Sequence, residues 1–236
     1  MELEGARALV TGGGRGIGAT IALALAGSGC QIALASRTAS QLEAVAAGVT
    51  AAGMRALVIP ADLTRAEEVH GLVQKVESEF GGIDILINNA GGGAFGPVIE
   101  LTENEFERTL ELNVTSVFRL TRAFLPGMLQ RKQGHIVMMA STAARRGFSG
   151  GAAYCAAKFA LDGFAQSLFY ETRKSGVRVT TVFPSSVNTE LMRRIGPTLD
   201  PDRMIQPADV ALAVLAALRT DDRATVKEIE IWGTNP

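Results

Sequence analysis

The sequence predicts a single α/β domain, residues 1–236, built on an open, doubly wound parallel β-sheet of about seven strands with helices on both faces. Three observations carry this prediction. Short apolar or β-branched runs, each the length of one buried strand, alternate along the chain with stretches of helical period. The first of these runs passes directly into a glycine-rich turn, Thr11-Gly12-Gly13-Gly14-Arg15-Gly16-Ile17-Gly18, and a helix follows. With 236 residues, 47% of them hydrophobic and 20% charged, the chain suffices for one well-buried domain and carries no disorder signature.

The elements follow in order. Arg7–Thr11 is the first strand, and Ile17, Ile21, Leu23 and Leu25 begin the helix after the turn. A strand, turn and helix in this order is the context of a dinucleotide fingerprint. Missing side chains admit a pyrophosphate to the backbone, and the N–H groups and dipole at the helix start favour its charge. Gly14, Gly16 and Ala19 fit the general G-x-G-x-x-G/A pattern, so the spacing alone does not assign each glycine its part. The second strand, Gln31–Ser36, ends where an NAD-selecting carboxylate would stand, roughly twenty residues past the glycines. Here Ser36 and Arg37 stand instead, with no acid beside them in the sequence. A guanidinium fork suits a phosphate, and Arg15 in the turn adds a second positive charge, so NADP(H) is expected. The alternative is that both arginines are solvated surface charges.

A helix over 40–52 and a strand over 55–60 lead to Asp62-Leu63, where Asp62 also has the composition of a cap for helix Ala66–Phe80. A strand over 83–87 runs into Asn88-Asn89-Ala90-Gly91. Residues 103–131 form one long helical pattern containing Asn113, and strand Gly134–Met139 ends at Ala140-Ser141-Thr142. The next helix, over 154–169, opens with Tyr154 and Lys158, four residues apart and therefore on one face. An ammonium beside a phenol favours phenolate, which would make Tyr154 a usable general acid or base. The bland reading is a buried aromatic residue with a snorkelling lysine. A strand over 177–182 leads to Pro184-Ser185-Ser186-Val187-Asn188-Thr189, residues 190–206 read as a substrate lid, and a helix over 207–218 and a strand over 228–232 close the chain.

The glycine turn, Asn88-Asn89-Ala90-Gly91, Asn113 within a helix, Ser141 thirteen residues before Tyr154, and Tyr154-x-x-x-Lys158 occur in this order. Together they resemble the short-chain dehydrogenase/reductase family, and the resemblance covers nearly the whole chain. It implies a Rossmann fold, NADP(H) or NAD(H) as cofactor, and Asn113, Ser141, Tyr154 and Lys158 as the catalytic set. Gly12, Gly16 and Gly18 become the family's glycines, with Gly14, Arg15 and Ile17 beside them. Asp62 and Leu63 would meet the adenine, while Asn89, Ala90 and Gly91 would lie along the cofactor. Asn113 would seat a water in a proton relay to Lys158, and Lys158 would also bond the nicotinamide ribose. Pro184, Val187 and Thr189 would touch the nicotinamide. Ser185 stands where the family usually has glycine, which would strain the loop if the backbone there requires a positive φ.

The resemblance implies reduction of a ketone or 3-oxo group to a secondary alcohol. The branch acting on 3-oxoacyl thioesters of an acyl-carrier protein is one alternative, since Arg131, Lys132, Arg173 and Lys174 at helix ends would meet an acidic carrier. Such residues are also ordinary partners of helix dipoles. The C-terminal Lys227 to Pro236 stretch lacks the V-D-G-G close of those reductases and looks more like the branch acting on small hydroxy acids. Arg145 and Arg146 are candidates for holding a substrate carboxylate. A non-catalytic NADP(H)-binding regulator is the reading from another class, and the intact Asn, Ser, Tyr, Lys set argues against it. A net charge of -1 without long charged runs offers nothing to nucleic acid or an anionic membrane. No apolar stretch has the length of a membrane span, and the N-terminus lacks a signal-peptide core, so a cytoplasmic protein is expected. His70, His135, Cys30 and Cys155 lack chelating spacing, so no metal is expected. Surplus apolar surface on the two long helices predicts that they pair with copies in another subunit, and the family resemblance implies a homo-oligomer of this kind, a tetramer or a dimer.

Overall fold

The computed structural model describes residues 1–195 and 200–234. Seven strands form one parallel sheet in the order β3-β2-β1-β4-β5-β6-β7: β1 Arg7–Thr11, β2 Gln31–Ser36, β3 Ala56–Pro60, β4 Ile85–Asn88, β5 Gly134–Met139, β6 Val177–Pro184 and β7 Glu228–Ile231. The helices are α1 Gly16–Ala26, α2 Ala39–Ala51, α3 Ala66–Phe80, α4 Glu103–Leu110, α5 Ser116–Arg131, α6 Ala152–Thr172, α7 Glu190–Ile195 and α8 Pro207–Arg219. Strand order reverses between β1 and β4, which opens a crevice at their carboxyl ends.

Alternation along the strands builds two cores. Ala8, Val10, Ile32, Leu34, Ile85, Ile87 and Val137 pack on the α1, α2 and α8 side, where Ile21, Leu25, Leu42, Val210 and Val214 meet them. Leu9, Ala33, Leu86, Ile136 and Phe183 face the other way, onto Val69, Leu72, Leu120, Phe124, Leu161 and Leu168 of α3, α5 and α6. Each of the larger side chains contributes on the order of 1.5–3 kcal/mol by leaving water, so the sheet is the rigid floor on which the loops at its carboxyl edge are held.

Local chemistry sets the helix ends. Thr102 and Glu105 form a reciprocal capping box at the start of α4. Gly81 ends α3 with φ of 65°, a conformation that costs glycine little. One expectation is refined and another corrected here. The helical run over 103–131 is unbroken but carries a π-helical turn, Glu111–Thr115, between α4 and α5. The wider turn shifts the helical phase at Asn113, a common device at functional sites. Asp62 does not cap α3, whose N-cap is Arg65 without a side-chain bond. Its carboxylate instead closes a turn on Thr64, accepting from N at 3.0 Å and Oγ1 at 2.8 Å. Of the expected lid, α7 is helical and Ile205 pairs with Val187 in an isolated bridge, while residues 196–199 lie outside the described residues.

Candidate active site

The crevice begins at the glycine turn between β1 and α1. Gly12 and Gly16 have φ of 63° and 55°, so both positions favour glycine. A Cβ on Gly18 would stand 2.3 Å from the Gly12 carbonyl oxygen and 2.5 Å from Asn89 Nδ2, so only glycine fits there. The start of α1 has no side-chain cap and no acid in its first turn, which leaves its N–H groups open to an anion.

The turn after β4 holds this loop in place. Thr11 Oγ1 donates to the Ile87 carbonyl at 3.1 Å and accepts from Asn89 N and Ala90 N, both at 3.0 Å. Asn89 Nδ2 donates back to the Thr11 and Gly12 carbonyls at 2.9 and 3.4 Å. The two segments are distant in sequence and become one unit through a hydroxyl and an amide.

At the end of β2, Ser36 Oγ is buried and finds no partner among the described residues. A Cβ on Gly14 would stand 3.0 Å from it, so this corner too depends on a missing side chain. Arg37 is exposed beside it. Burial pushes the Asp62 carboxyl up, but the Thr64 bonds and the charges of Arg37 and Arg108 outweigh that and hold it below its usual range. An acid therefore does stand near Arg37, contributed from the end of β3 and invisible in the local sequence. The Leu63 side chain belongs to the core, which leaves only its main chain for a ligand. Arg15 forms an ion pair with Glu190 at the start of α7, so it ties the glycine turn to the lid segment.

Farther along, Ser141, Tyr154 and Lys158 line one cavity of about 580 Å³ together with Ile17, Asn89, Gly91, Pro184, Val187 and Thr189. Ser141 extends from the end of β5, and its Oγ accepts from Ala143 N at 3.1 Å. Tyr154 and Lys158 project from adjacent turns of α6, with Lys158 Nζ 5.5 Å from the phenol ring centre. Burial raises the Tyr154 pKa to about 12 although a hydrogen bond from Ser141 lowers it. Burial lowers the Lys158 pKa to about 8. Burial of the phenol thus favours its protonated form. Lys158 Nζ donates to the Met139 carbonyl at 2.8 Å.

Asn113, fully buried in the π-helical turn, donates through Nδ2 to the Gly92 carbonyl at 2.6 Å and the Thr109 carbonyl at 2.7 Å. Both Asn113 Oδ1 and Lys158 Nζ crowd Gly91, where a Cβ would lie 3.0 and 3.1 Å from them. The structure therefore gathers Asn113, Gly91, Tyr154, Lys158 and Ser141 at one point from four separate segments.

Other candidate residues have the following surroundings. Ser185 is unstrained: Lys132 is the only non-glycine described residue with positive φ, and Ser185 N bonds the Ile231 carbonyl at 2.9 Å. Arg145 is not available to a substrate. It pairs with Asp162 at 2.9 Å and with Glu228, and its guanidinium lies 3.9 Å from the Phe183 ring centre. Arg131 donates to the Ile83 carbonyl and pairs with Asp84, which favours the structural role of that helix end over a carrier contact. His135 is buried against Thr180, its pKa lowered to about 3 by burial and by Arg178, far from any catalytic role. Among the described residues no group of three His, Cys, Asp or Glu side chains could hold a metal ion, and no helix is long and apolar enough to cross a membrane. Leu191 and Met192, within the segment expected to be a lid, lie on α7 in the cavity wall, and sequence reasoning missed Phe148 and Ser186 there, since a loop residue carries no local signal of what it lines.

Comparison with known proteins agrees with this arrangement. The family model described as short chain dehydrogenase matches residues 6–200. Sepiapterin reductase of Chlorobaculum tepidum is 34% identical over 234 residues, covering 96% of each chain. The 3-oxoacyl-[acyl-carrier-protein] reductase of Vibrio cholerae is 34% identical over 224 residues, 91% of this chain and 90% of that one. A glycine betaine reductase of Emericella nidulans is 34% identical over 97% of this chain, which spans only 19% of that protein's length. Among solved structures, an alcohol dehydrogenase of the archaeon Thermococcus sibiricus, complexed with 5-hydroxy-NADP, superposes with a TM-score of 0.91 at 29% identity, covering 99% of this chain and 98% of that one. A metagenomic short-chain oxidoreductase in complex with NADP gives 0.87 at 33% identity, with 99% of both chains covered.

Proposed function

Because the chain belongs to the short-chain dehydrogenase family of oxidoreductases, we propose that it reduces a ketone or 3-oxo group to a secondary alcohol with NADPH and that Tyr154 supplies the proton. The observation that carries this reading is the meeting of Ser141, Tyr154 and Lys158 in one cavity that Ile17 of the glycine turn also lines. When bound, the nicotinamide supplies or accepts the hydride. The residues present fit such a group: the glycine turn is bare where a pyrophosphate would lie, and Ser36 Oγ is an orphaned buried hydroxyl at the ribose end. Gly12, Gly14, Gly16, Gly18 and Ile17 would hold the pyrophosphate, Ser36 and Arg37 the 2'-phosphate, Asp62 and the main chain at Leu63 the adenine, and Asn89, Ala90 and Gly91 the span between. Pro184, Val187 and Thr189 would bound the nicotinamide. Arg15 would join the phosphate contacts with the N–H groups that its pairing with Glu190 leaves.

The chain's own chemistry then follows. Ser141 Oγ hydrogen-bonds the substrate oxygen and orients it toward Tyr154. The phenol, kept protonated by burial, gives its proton to that oxygen as the alcohol forms. The Lys158 ammonium, buried beside the ring, stabilises the resulting phenolate by charge. Asn113, fixed to Gly92 and Thr109, keeps the π-helical turn against Gly91, the place from which a relay of water would return the proton. Low-dielectric surroundings strengthen each of these interactions.

NADPH and NADH oxidation by the purified protein across 3-oxoacyl thioesters, β-keto acids, diketones and aryl ketones tests the reading. NADPH-dependent turnover is expected, and Arg37→Asp should shift the preference toward NADH by about tenfold or more, the worth of one charge-assisted phosphate contact. An unchanged preference would remove Arg37 from the phosphate site. Homo-oligomeric assembly through the outward Phe118 and Phe159 of α5 and α6, 46% and 48% exposed, belongs to the same proposal.

A further inference from the structure

The cavity that holds Ser141 and Tyr154 adjoins a second cavity of about 260 Å³, and Arg146, Ser185 and Ser186 line both. Arg146 therefore stands where the two meet. The first has Phe148, Leu191 and Met192 in its wall with the proposed catalytic hydroxyls, and the second has Trp232 and Arg203.

Three cations line this cleft, and they differ in what they already hold. Lys158 donates to the Met139 carbonyl. Arg203 pairs with Asp200 at 3.6 Å. Arg146 forms no ion pair with any described residue, and its guanidinium carbon lies 4.9 Å from the centre of the Trp232 ring. Its main chain is fixed by the bond from its N–H to the Thr142 carbonyl at 3.2 Å, directly after the Ser141 turn. Stacking on an indole holds the planar guanidinium without using its N–H edge, and that edge matches a carboxylate bidentately. The neighbouring Arg145 shows the contrast, since its edge is taken by Asp162 and Glu228.

We propose that Arg146 is a substrate-binding residue that selects oxo acids, with the carboxylate on Arg146 and an apolar spacer along Phe148, Leu191 and Met192 between it and the carbonyl. This rests on the reading that Ser141 and Tyr154 receive the carbonyl. It assigns the substrate an anionic end, which the reaction class alone does not.

Trp232 is the chain's only tryptophan, so its emission reports on Arg146 without any turnover. The protein with NADP+ bound is titrated with hexanoate and, in parallel, with hexanamide. Hexanoate should give a saturable change, with the amide about tenfold weaker or silent, the difference expected for a charge-assisted pair. Arg146→Gln should abolish the preference, Arg146→Lys should restore part of it, and thermal unfolding should show both variants folded. In turnover, Arg146→Gln should raise KM for an oxo acid about tenfold and leave kcat, and the KM of its methyl ester, unchanged. Equal responses to acid and amide, or an Arg146→Gln protein that still prefers hexanoate, would overturn the proposal. Failure of the reductase reading looks different: no NADPH-dependent turnover with the emission response intact.

Discussion

Replacing Thr11 with valine tests whether the glycine turn is held from across the sheet. The side chains have nearly the same shape, so the change isolates the hydroxyl. That hydroxyl is 1% exposed at the residue level and takes part in three hydrogen bonds, one to the Ile87 carbonyl and two from Asn89 N and Ala90 N. A hydrogen bond nets about 1 kcal/mol, and a buried donor left without a partner costs about 1–3 kcal/mol. The two amides lie at the cleft and are only partly buried, so the lower figures apply and the loss should be about 2–4 kcal/mol. Thr11→Ser keeps the hydroxyl and removes one methyl group, at about 1 kcal/mol. Urea unfolding with the slope unchanged reads the difference, and NADPH affinity should fall in the valine variant because Asn89 no longer positions the Gly12 carbonyl. A valine variant within about 0.5 kcal/mol of the parent, the range of an inconsequential surface change, would refute the reasoning.

Two predictions concern protons. Burial holds His135 neutral, its pKa moved from 6.5 to about 3, so the unfolded chain binds a proton there that the folded one refuses. Its contribution is fully present above pH 6.5 and is lost as pH falls toward 3, on the order of 3–5 kcal/mol in all; acid unfolding of His135→Val should show a flatter slope in that window. The lowered pKa of Lys158, about 8, means that the ammonium is present below that pH and lost above it. The rate of reduction, kcat/KM, should therefore fall above pH 8, roughly tenfold per unit, and a profile flat to higher pH would deny the ammonium its role.

Much of the fold was legible because its signals are local. Strand β1, the glycine turn and the four-residue spacing of Tyr154 and Lys158 each lie within one short segment, and short apolar runs marked the strands. What stayed hidden depends on contacts across the fold. The π-helical turn at Asn113 has no apolar signature, since the helical period runs through it. Asp62 had a cap's composition, yet Thr64 was the nearer donor. Arg145 and Arg146 were indistinguishable as neighbours in sequence, and only the folded chain sets one against Asp162 and Glu228 and the other against Trp232. The field of burial on Tyr154 and Lys158 was likewise unreadable, because it depends on how fully the surrounding segments cover α6.

The central claim is that Tyr154 donates the proton from within a site that binds NADPH independently of it. Tyr154→Phe, measured side by side for carbonyl-dependent NADPH oxidation and for NADPH binding by titration, tests it most directly. The account predicts a loss of turnover of about a hundredfold or more, the usual worth of a positioned general acid, with cofactor affinity changed by less than about threefold. Turnover at the parental rate in the phenylalanine variant would contradict it.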